Sequence, residues 1–329
     1  MVNRLLFILF ILLTTVSCRH KKLGEEISRS GDMPVKVVIN WSNPAIQRSS
    51  MRINLFAQTT GIADYGRDEL PADGVKYIYL KGGANYRPFC YDYNASGIYF
   101  RNEQNMETFE AYFSGMSRAT YNNYASPAKN EATYSAPTGS EFYVHSWTET
   151  FDVEAESEEE QVLLFEPKNV LRHFTYRINN ILGRENIKDI RGAASGMASV
   201  FIFHTGKATE VRSTMLFGNI QVKFDSERNY GYLEGEFYTF GPMEPYENWF
   251  TIELTSNSNK YFSASWDISG QVGETMENRD AKLARDGYDL LLWNNPDVGI
   301  PEIDPGEEGP GSGFEIGIGE WGDEVIIKL

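Results

Sequence analysis

Cysteine is scarce in this chain: its 329 residues include two, Cys18 and Cys90. Cys18 ends an apolar N-terminal segment, where we expect its thiol to be modified and not to form a disulfide bond. Cys90 then has no intrachain partner. We therefore expect a fold without disulfide bonds, stabilised by the burial of apolar side chains. Cys90 stands among Phe89, Tyr91 and Tyr93, which favours a buried, inert thiol over a nucleophile.

Histidine is also rare, with four residues, and the sequence patterns of known catalytic and metal sites are missing. His145, His173 and His204 share no short metal-ligand spacing. Neither a His-Glu-x-x-His motif, a nucleophile elbow nor a Walker sequence occurs. The acidic run Glu154–Glu160 lacks the Asp-x-Asp spacing and the glycine of a calcium loop. We predict that the chain is not an enzyme and that it has no catalytic residues, no metal site and no cofactor.

Negatively charged residues outnumber positively charged ones, with 46 aspartate and glutamate residues against 30 lysine and arginine residues. An acidic surface repels phosphate groups, so we expect no nucleic acid among the partners. Long apolar runs are missing as well, except for one at the N terminus. That run, Leu5–Val16, is too short to cross a hydrocarbon layer of about 30 Å comfortably as a helix.

The N terminus has the three regions of a secretory signal. Met1–Arg4 carries positive charge, the apolar run follows, and small residues lead to Cys18. A cysteine at the cut site resembles a bacterial lipoprotein signal, in which the thiol is acylated. The alternative is an ordinary signal peptide with an incidental cysteine. We predict a signal peptide over residues 1–17, a lipid on Cys18 and a tether over residues 18–33. Arg19, in place of the Asp of inner-membrane lipoproteins, favours the outer membrane and the cell surface.

Strand patterns follow the tether. The side chains of Val35, Val37, Ile39 and Trp41 alternate with more polar ones, which predicts a first strand over Val35–Trp41. Tyr, Phe and Trp make up 14% of the residues, and these residue types suit pleated, half-buried surfaces. The composition and the alternation together favour an all-β fold.

The rest of the chain repeats this pattern of short strands and turns. Met51–Ala57 and Val325–Leu329 read as strands, and Glu274–Arg285 is the best helix candidate. Pro296–Gly313 is rich in proline, glycine and acidic residues, so we expect a surface excursion there. Many short strands separated by turns predict antiparallel β-sandwiches.

The densest charge run, Glu154–Glu160, is typical of a solvated linker. We therefore predict an N-terminal β-sandwich domain over residues 34–160 and a C-terminal β-sandwich domain over residues 161–329.

Tryptophan offers one candidate binding surface. Exposed tryptophan side chains stack on sugar rings, so they are candidates for a glycan platform, and the alternative is that they fill the cores of two sandwiches. The residues concerned are Trp147, Trp249, Trp266, Trp293 and Trp321.

Several longer phrases carry a resemblance to a known family. They are Val-Ile-Asn-Trp-Ser at the end of the first strand, Ser-Gly-Met-Ala-Ser at 195–199, Phe-Tyr-Thr-Phe-Gly at 237–241, Tyr-Phe-Ser-Ala-Ser-Trp-Asp-Ile-Ser at 261–269, and the glycine-rich Gly-Phe-Glu-Ile phrase near the C terminus. Together with the signal, they resemble the fimbrillin-like lipoproteins associated with type V pili, in a branch of unknown function. The likeness covers most of the chain after the signal.

The resemblance implies two consecutive transthyretin-like β-sandwich domains and assembly by β-strand addition. Pilin members of the family are cut after an arginine and lose their first strand, and a neighbouring subunit's strand fills the groove. Arg48 is then the candidate cleavage point, because Arg52 lies inside the next strand. The exchanged strand carries Val35, Val37, Ile39 and Trp41, and the candidate donor strand carries Val325, Ile327 and Leu329.

The expected function is that of a fimbrial subunit, or of an anchor or tip protein in adhesion. Its partners are other pilus subunits, or host or bacterial surface ligands, and its contact with the outer membrane is the lipid on Cys18. The alternative is a glycan-binding outer-membrane lipoprotein.

Overall fold

The computed structural model describes residues 31–41, 50–58, 63–71, 73–117, 128, 130–146, 149–157, 159–304 and 326–327. The strands in chain order are β1 (Asp32–Ile39), β2 (Met51–Ala57), β3 (Ala63–Glu69), β4 (Val75–Lys81), β5 (Asn85–Asp92), β6 (Ile98–Arg101), β7 (Glu110–Phe113), β8 (Ala132–Ser135), β9 (Tyr143–Ser146), β10 (Phe151–Asp152), β11 (Gln161–Phe165), β12 (Lys168–Asn169), β13 (Arg172–Ile181), β14 (Ile187–Ala198), β15 (Val200–Ile202), β16 (Lys207–Ala208), β17 (Arg212–Phe217), β18 (Gln221–Asp225), β19 (Tyr230–Thr239), β20 (Trp249–Ser256), β21 (Tyr261–Asp267), β22 (Leu290–Trp293) and β23 (Ile326–Ile327). The helix α1 is Ser269–Asp286.

The strands form five sheets, and most neighbouring strands run antiparallel, so the prediction of an all-β fold is confirmed. Sheet A has the order β11-β1-β4, and sheet B has the order β12-β9-β5-β2-β3, with β10 beside β5. Sheet C is β16-β15-β7-β6, sheet D is β23-β21-β20-β14-β17-β8, and sheet E is β18-β19-β13-β22.

Sheets A and B face each other across the smaller of two apolar cores. Val35 and Val37 of β1 and Ile53 and Leu55 of β2 are fully buried in it, because alternate side chains of each strand point to the same face. Cys90 also lies in this core as a free thiol. Burial raises the pKa of the Cys90 thiol, with a smaller effect of Asp92. The prediction that Cys90 is buried is confirmed, and its inertness stays a prediction.

The larger core joins sheets C, D and E with the ends of β5 and β9. Its centre is a cluster of phenylalanines contributed by distant parts of the chain. The rings of Phe109 and Phe203 stack at 3.9 Å between centroids, and Phe89 packs against Phe203 at 5.9 Å. The Arg87 guanidinium donates to the carbonyl of His204 beside this cluster. These contacts tie the two halves of the sequence together.

Strands from the two sides of the predicted boundary between residues 160 and 161 pair with each other. β11, which follows that division, pairs in parallel with β1 of the first half. β7 pairs with β15, and β8 pairs with β17. The acidic run is a solvated connection from β10 to β11, in which the Gln161 side chain accepts from the Glu154 N–H at 2.8 Å. The division into two domains stays a prediction, and strands of both halves cross its boundary.

The predicted helix over Glu274–Arg285 is confirmed and extends to Ser269–Asp286. The predicted surface excursion over Pro296–Gly313 is wrong at its start, since Ile300 and Ile303 are fully buried. The Asn294 side chain accepts a hydrogen bond from the Ile300 N–H and donates one to the Ile300 carbonyl, both at 2.8 Å. This local closure turns two apolar side chains inward within a polar stretch.

In the part of the chain that the structure describes, no helix combines the length and the apolar character needed to cross a membrane.

Replacing Phe203 by alanine tests whether the phenylalanine cluster couples the two halves. Phe203 is fully buried, so Phe203→Ala is expected to lower the free energy of unfolding by about 3–5 kcal/mol. Chemical denaturation followed by tryptophan fluorescence and by circular dichroism measures the change. Val211→Ala is the control, because Val211 is 67% exposed, and its effect is expected within about 0.5 kcal/mol. Two separate transitions, of which Phe203→Ala shifts one, would contradict the coupling.

Candidate strand-exchange site

β1 is the middle strand of sheet A. Its residues Asp32–Val38 pair antiparallel with Val75–Lys81 of β4, and Val35–Ile39 pair in parallel with Gln161–Phe165 of β11. Beyond the strand, the Ile39 N–H donates to the Gly74 carbonyl at 2.9 Å, and the Asn40 N–H donates to the Phe165 carbonyl at 2.8 Å. Each edge of β1 is therefore hydrogen-bonded, and β4 and β11 meet only through it.

The inward face of β1 carries three of the predicted exchange residues. Val35 and Val37 are fully buried and Ile39 is nearly so, and all three lie in the core between sheets A and B. Their neighbours on β11, Leu163 and Phe165, are fully buried as well. The predicted inward pattern of Val35, Val37 and Ile39 is thus present in the structure.

Trp41 differs from the prediction, because the strand ends at Ile39 and begins earlier than expected, at Asp32. Once past Asn40, the chain leaves the ladder that β1 shares with β11. The Trp41 ring instead meets the Tyr143 ring of β9 edge-on at 5.4 Å. This contact closes the end of the core, so Trp41 packs against the sandwich without being part of the strand.

The outward face of sheet A is partly apolar. Val162 and Leu164 of β11 and Tyr77 of β4 are 46%, 40% and 50% exposed. Between the two outer strands, the Lys36 ammonium pairs with Glu160 at 3.1 Å, and the Tyr77 hydroxyl donates to the same carboxylate. These groups are exposed, so the pairing contributes little to stability, and β1 is retained mainly by its inward face.

His145 holds β11 against sheet B. Its Nδ1 accepts the Glu166 backbone N–H at 2.6 Å, and its ring meets Phe165 edge-on at 5.4 Å. Burial lowers the pKa of the imidazole, although Glu166 opposes the shift and Lys168 adds to it. An imidazole that accepts through Nδ1 at this site is neutral at that nitrogen.

Several predicted site residues lie outside the described residues. They are Cys18, Arg48, Val325 and Leu329. In the sequence, Arg48 falls in the connection between β1 and β2.

The C-terminal strand β23 pairs with one neighbour. Ile326 and Ile327 run parallel to Ser265 and Trp266 of β21, at the edge of sheet D. The predicted donor residue Ile327 is thus in a strand, and that strand lies in a different sheet from β1.

The described tryptophans of the predicted platform differ in exposure, and Trp249 is half-buried. Trp266 is fully buried in the larger core, and its Nε1 donates to the Trp293 carbonyl at 3.2 Å. Trp293 is 48% exposed, while Trp147 and Trp321 lie outside the described residues. Among the described residues, no three His, Cys, Asp or Glu side chains are grouped so that they could hold a metal ion.

One family model matches the chain over residues 17–218, well over half of its length. Its description is Domain of unknown function (DUF5119). The chain belongs to this family. A comparison with curated proteins gave no match.

This DUF5119 member is similar to several solved structures. A candidate adhesin from Bacteroides ovatus is 15% identical and superposes with a TM-score of 0.61, over 87% of this chain and 99% of that one. The fimbrial anchor protein Mfa2 from Porphyromonas gingivalis is 14% identical with a TM-score of 0.45, over 73% and 84%. A candidate polysaccharide-binding protein from Bacteroides thetaiotaomicron is 10% identical with a TM-score of 0.47, over 75% and 84%.

The family match and the fold shared with the candidate adhesin confirm the resemblance to a fimbrillin-like branch of unknown function.

Sequence reasoning missed β11 as the second neighbour of β1. The signal was present, because Leu163 and Phe165 alternate with Val162 and Leu164 in a pattern that resembles β1. The adjoining acidic run led to a domain boundary instead, so β11 was assigned to the other domain.

A matched pair of valines tests the two faces of β1. Val37→Thr places a hydroxyl in the apolar core and is expected to lower the free energy of unfolding by about 1–3 kcal/mol. Val38 is its neighbour on the outward face, and Val38→Thr is expected to change stability by less than about 0.5 kcal/mol. Urea titrations of both variants measure the difference. Equal losses would show that β1 is not held by its inward face.

His145 gives a pH dependence whose sign is set by its lowered pKa. The unfolded chain binds the proton near the ordinary value of 6.5, and the folded chain binds it only at lower pH. Stability from this site is therefore complete above that value and declines as pH falls below it. His145→Asn, which retains an acceptor for the Glu166 N–H, is expected to flatten the stability profile between about pH 7.5 and about pH 5.5. Denaturant midpoints across this range measure the slope, and an unchanged slope would contradict the assignment.

Proposed function

We propose that the chain is a non-enzymatic cell-surface protein of a fimbria, as a pilus subunit or as an anchor or tip protein, and that it joins its partners by β-strand addition. The observation that carries the proposal is the position of β1 as the middle strand of sheet A. Loss of a middle strand leaves two facing strand edges and an apolar slot between them. Such a slot accepts a single extended segment from another chain.

The energetics favour replacement of β1 over an empty slot. Burial of a Val or Ile side chain is worth about 1.5–3 kcal/mol, so Val35, Val37 and Ile39 together contribute roughly 5–9 kcal/mol. Whole domains of ordinary proteins are stable by about 5–15 kcal/mol. A chain without β1 would therefore be close to unfolding until another strand filled the groove.

The C-terminal sequence supplies a segment with the required pattern. Val325, Ile327 and Leu329 repeat the spacing of Val35, Val37 and Ile39, with one residue between successive members of each set. Among the described residues β23 has one neighbour, in contrast to the two neighbours of β1. A strand at a sheet edge is released at lower cost, so the C terminus of one copy is suited to enter sheet A of another.

The location proposed for this assembly is the outer membrane and the cell surface. A lipid on Cys18 would hold the chain there through the tether at residues 18–33. The partners are other pilus subunits, or host or bacterial surface ligands. The fold shared with the candidate adhesin supports this role. The alternative, a glycan-binding outer-membrane lipoprotein with a tryptophan platform, has less support because Trp266 is buried.

Treatment of the chain from residue 19 to residue 329 with an arginine-specific protease tests the proposal. We expect a cut after Arg48, measured by mass, followed by oligomers on a sizing column. A synthetic peptide of residues 322–329 is expected to bind the cut chain and to suppress the oligomers, because it competes for the vacated groove.

Two controls accompany this experiment. Arg48→Lys removes the cleavage site and is expected to stay monomeric and not to bind the peptide. A peptide with Ile327→Asp is expected not to bind, since a charge in the groove costs several kcal/mol. A cut chain that neither oligomerises nor binds the peptide would refute strand addition. A chain that resists cleavage and stays monomeric would be an anchor and not a polymerising subunit.

A further inference from the structure

A cleft of 540 Å³ opens between sheets D and E, and none of its lining residues belongs to sheet A. One wall is the end of β8 with the following residues up to Thr138, and the opposite wall is Glu234–Tyr238 of β19. The turn at Gly218 and Asn219, between β17 and β18, closes one end. Tyr288, which precedes β22, lies on the rim. The volume is typical of sites for small organic ligands.

The wall formed by β19 has an open strand edge. β19 pairs with β13 from Gly231 to Thr239, whereas its pairing with β18 covers Tyr230–Glu234. In the described part of the chain, no strand pairs with the outer edge from Gly235 to Tyr238. Backbone N–H and C=O groups therefore face the cleft and offer hydrogen bonds of both kinds.

Two phenylalanines form the apolar floor of the cleft. The rings of Phe217 and Phe237 stack at 4.8 Å with an interplanar angle of 6°, and both line the cleft. Each ring is almost wholly buried, so the floor is set by the core and does not depend on a ligand.

The rim carries carboxylates that are already held in place. Glu234 accepts from the Tyr288 hydroxyl at 2.8 Å and pairs with Lys223. Glu236 accepts from the Tyr238 hydroxyl at 3.2 Å and lies 2.8 Å from His173 Nε2. Burial, with the nearby Glu236, raises the pKa of Tyr238 to about 12, so this hydroxyl keeps its proton at neutral pH. Fixed acceptors lose little conformational entropy when a ligand binds.

We propose that this cleft binds a neutral saccharide. Sugar hydroxyls donate to the two carboxylates and accept from the backbone N–H groups of β19 and from the amides of Asn219 and Gln221, which line the same cleft. Two carboxylates repel sialylated or sulfated sugars. The proposal is independent of strand exchange, because variants of the cleft leave β1 unchanged.

The test begins with an array of neutral, amino and acidic oligosaccharides probed with the labelled chain. We expect neutral oligosaccharides to be retained, and titration calorimetry with the best of them then gives the affinity. Gly218→Trp places a large side chain on a lining residue of the cleft, and a Cβ at this position meets no atom within 4 Å; circular dichroism checks that the variant is folded. This variant is expected to lose at least about tenfold in affinity. Gly270→Trp is the control, because a Cβ at Gly270 on α1 also meets no atom within 4 Å and Gly270 does not line the cleft.

A second pair of variants tests the carboxylates. Glu236→Gln is expected to weaken binding roughly tenfold, since a charged acceptor is replaced by a neutral amide. Glu227→Gln, at an exposed glutamate in the turn between β18 and β19, is expected to bind as the unchanged chain does. Retention of no saccharide would overturn the proposal, as would full binding by Gly218→Trp. A random peptide library gives a further outcome. If no saccharide binds and the library yields an extended peptide whose binding is lost in Gly218→Trp, the cleft binds peptide and the proposal is refuted.

Discussion

The pairing of β1 with β11 is the contact on which sheet A depends. It joins residues near position 37 to residues near position 163, so the chain must bring distant segments together before this sheet exists. β4 and β11 share no hydrogen bonds with each other in the sheet order, and β1 lies between them. The inward residues of all three strands then cover one face of the core that sheet B covers from the other side. The same arrangement that completes the sandwich also makes β1 the strand whose loss opens it.

Local patterns in the sequence predicted individual elements well. The alternation in Val35–Ile39 gave a strand with the correct inward face, and Met51–Ala57 is a strand as predicted, although residues on both of its faces are buried. The helix at Ser269–Asp286 was placed within a few residues. Each of these predictions rests on periodicity, which is a property of neighbouring residues. The choice of partners is different, because it depends on contacts between residues far apart in the chain. This is why β11 was not expected beside β1, and why β7 and β8 were not expected beside β15 and β17.

Composition misled the sequence analysis where single residues decided the outcome. Pro296–Gly313 has the composition of an exposed loop, yet Ile300 and Ile303 are core residues because Asn294 closes the backbone locally. For Trp266, sugar stacking and core packing were both open, and it is among the largest buried side chains. The cleft between sheets D and E could not be inferred from sequence at all. Its walls come from β8, β17 and β19, which become neighbours only after the chain has folded.

The interleaving of the two halves has a consequence for the order in which the chain folds. β7 and β8 are complete by residue 135, but the later strands that they pair with, β15 and β17, end only at residue 217. While the chain is being synthesised from its N terminus, the edges of β7 and β8 and the ring of Phe109 therefore stay exposed until the second half has been made. Exposed strand edges and apolar rings are prone to aggregation. The larger core therefore cannot be complete until the second half of the chain is present, and a folding helper or rapid synthesis of that half would protect β7 and β8 until then.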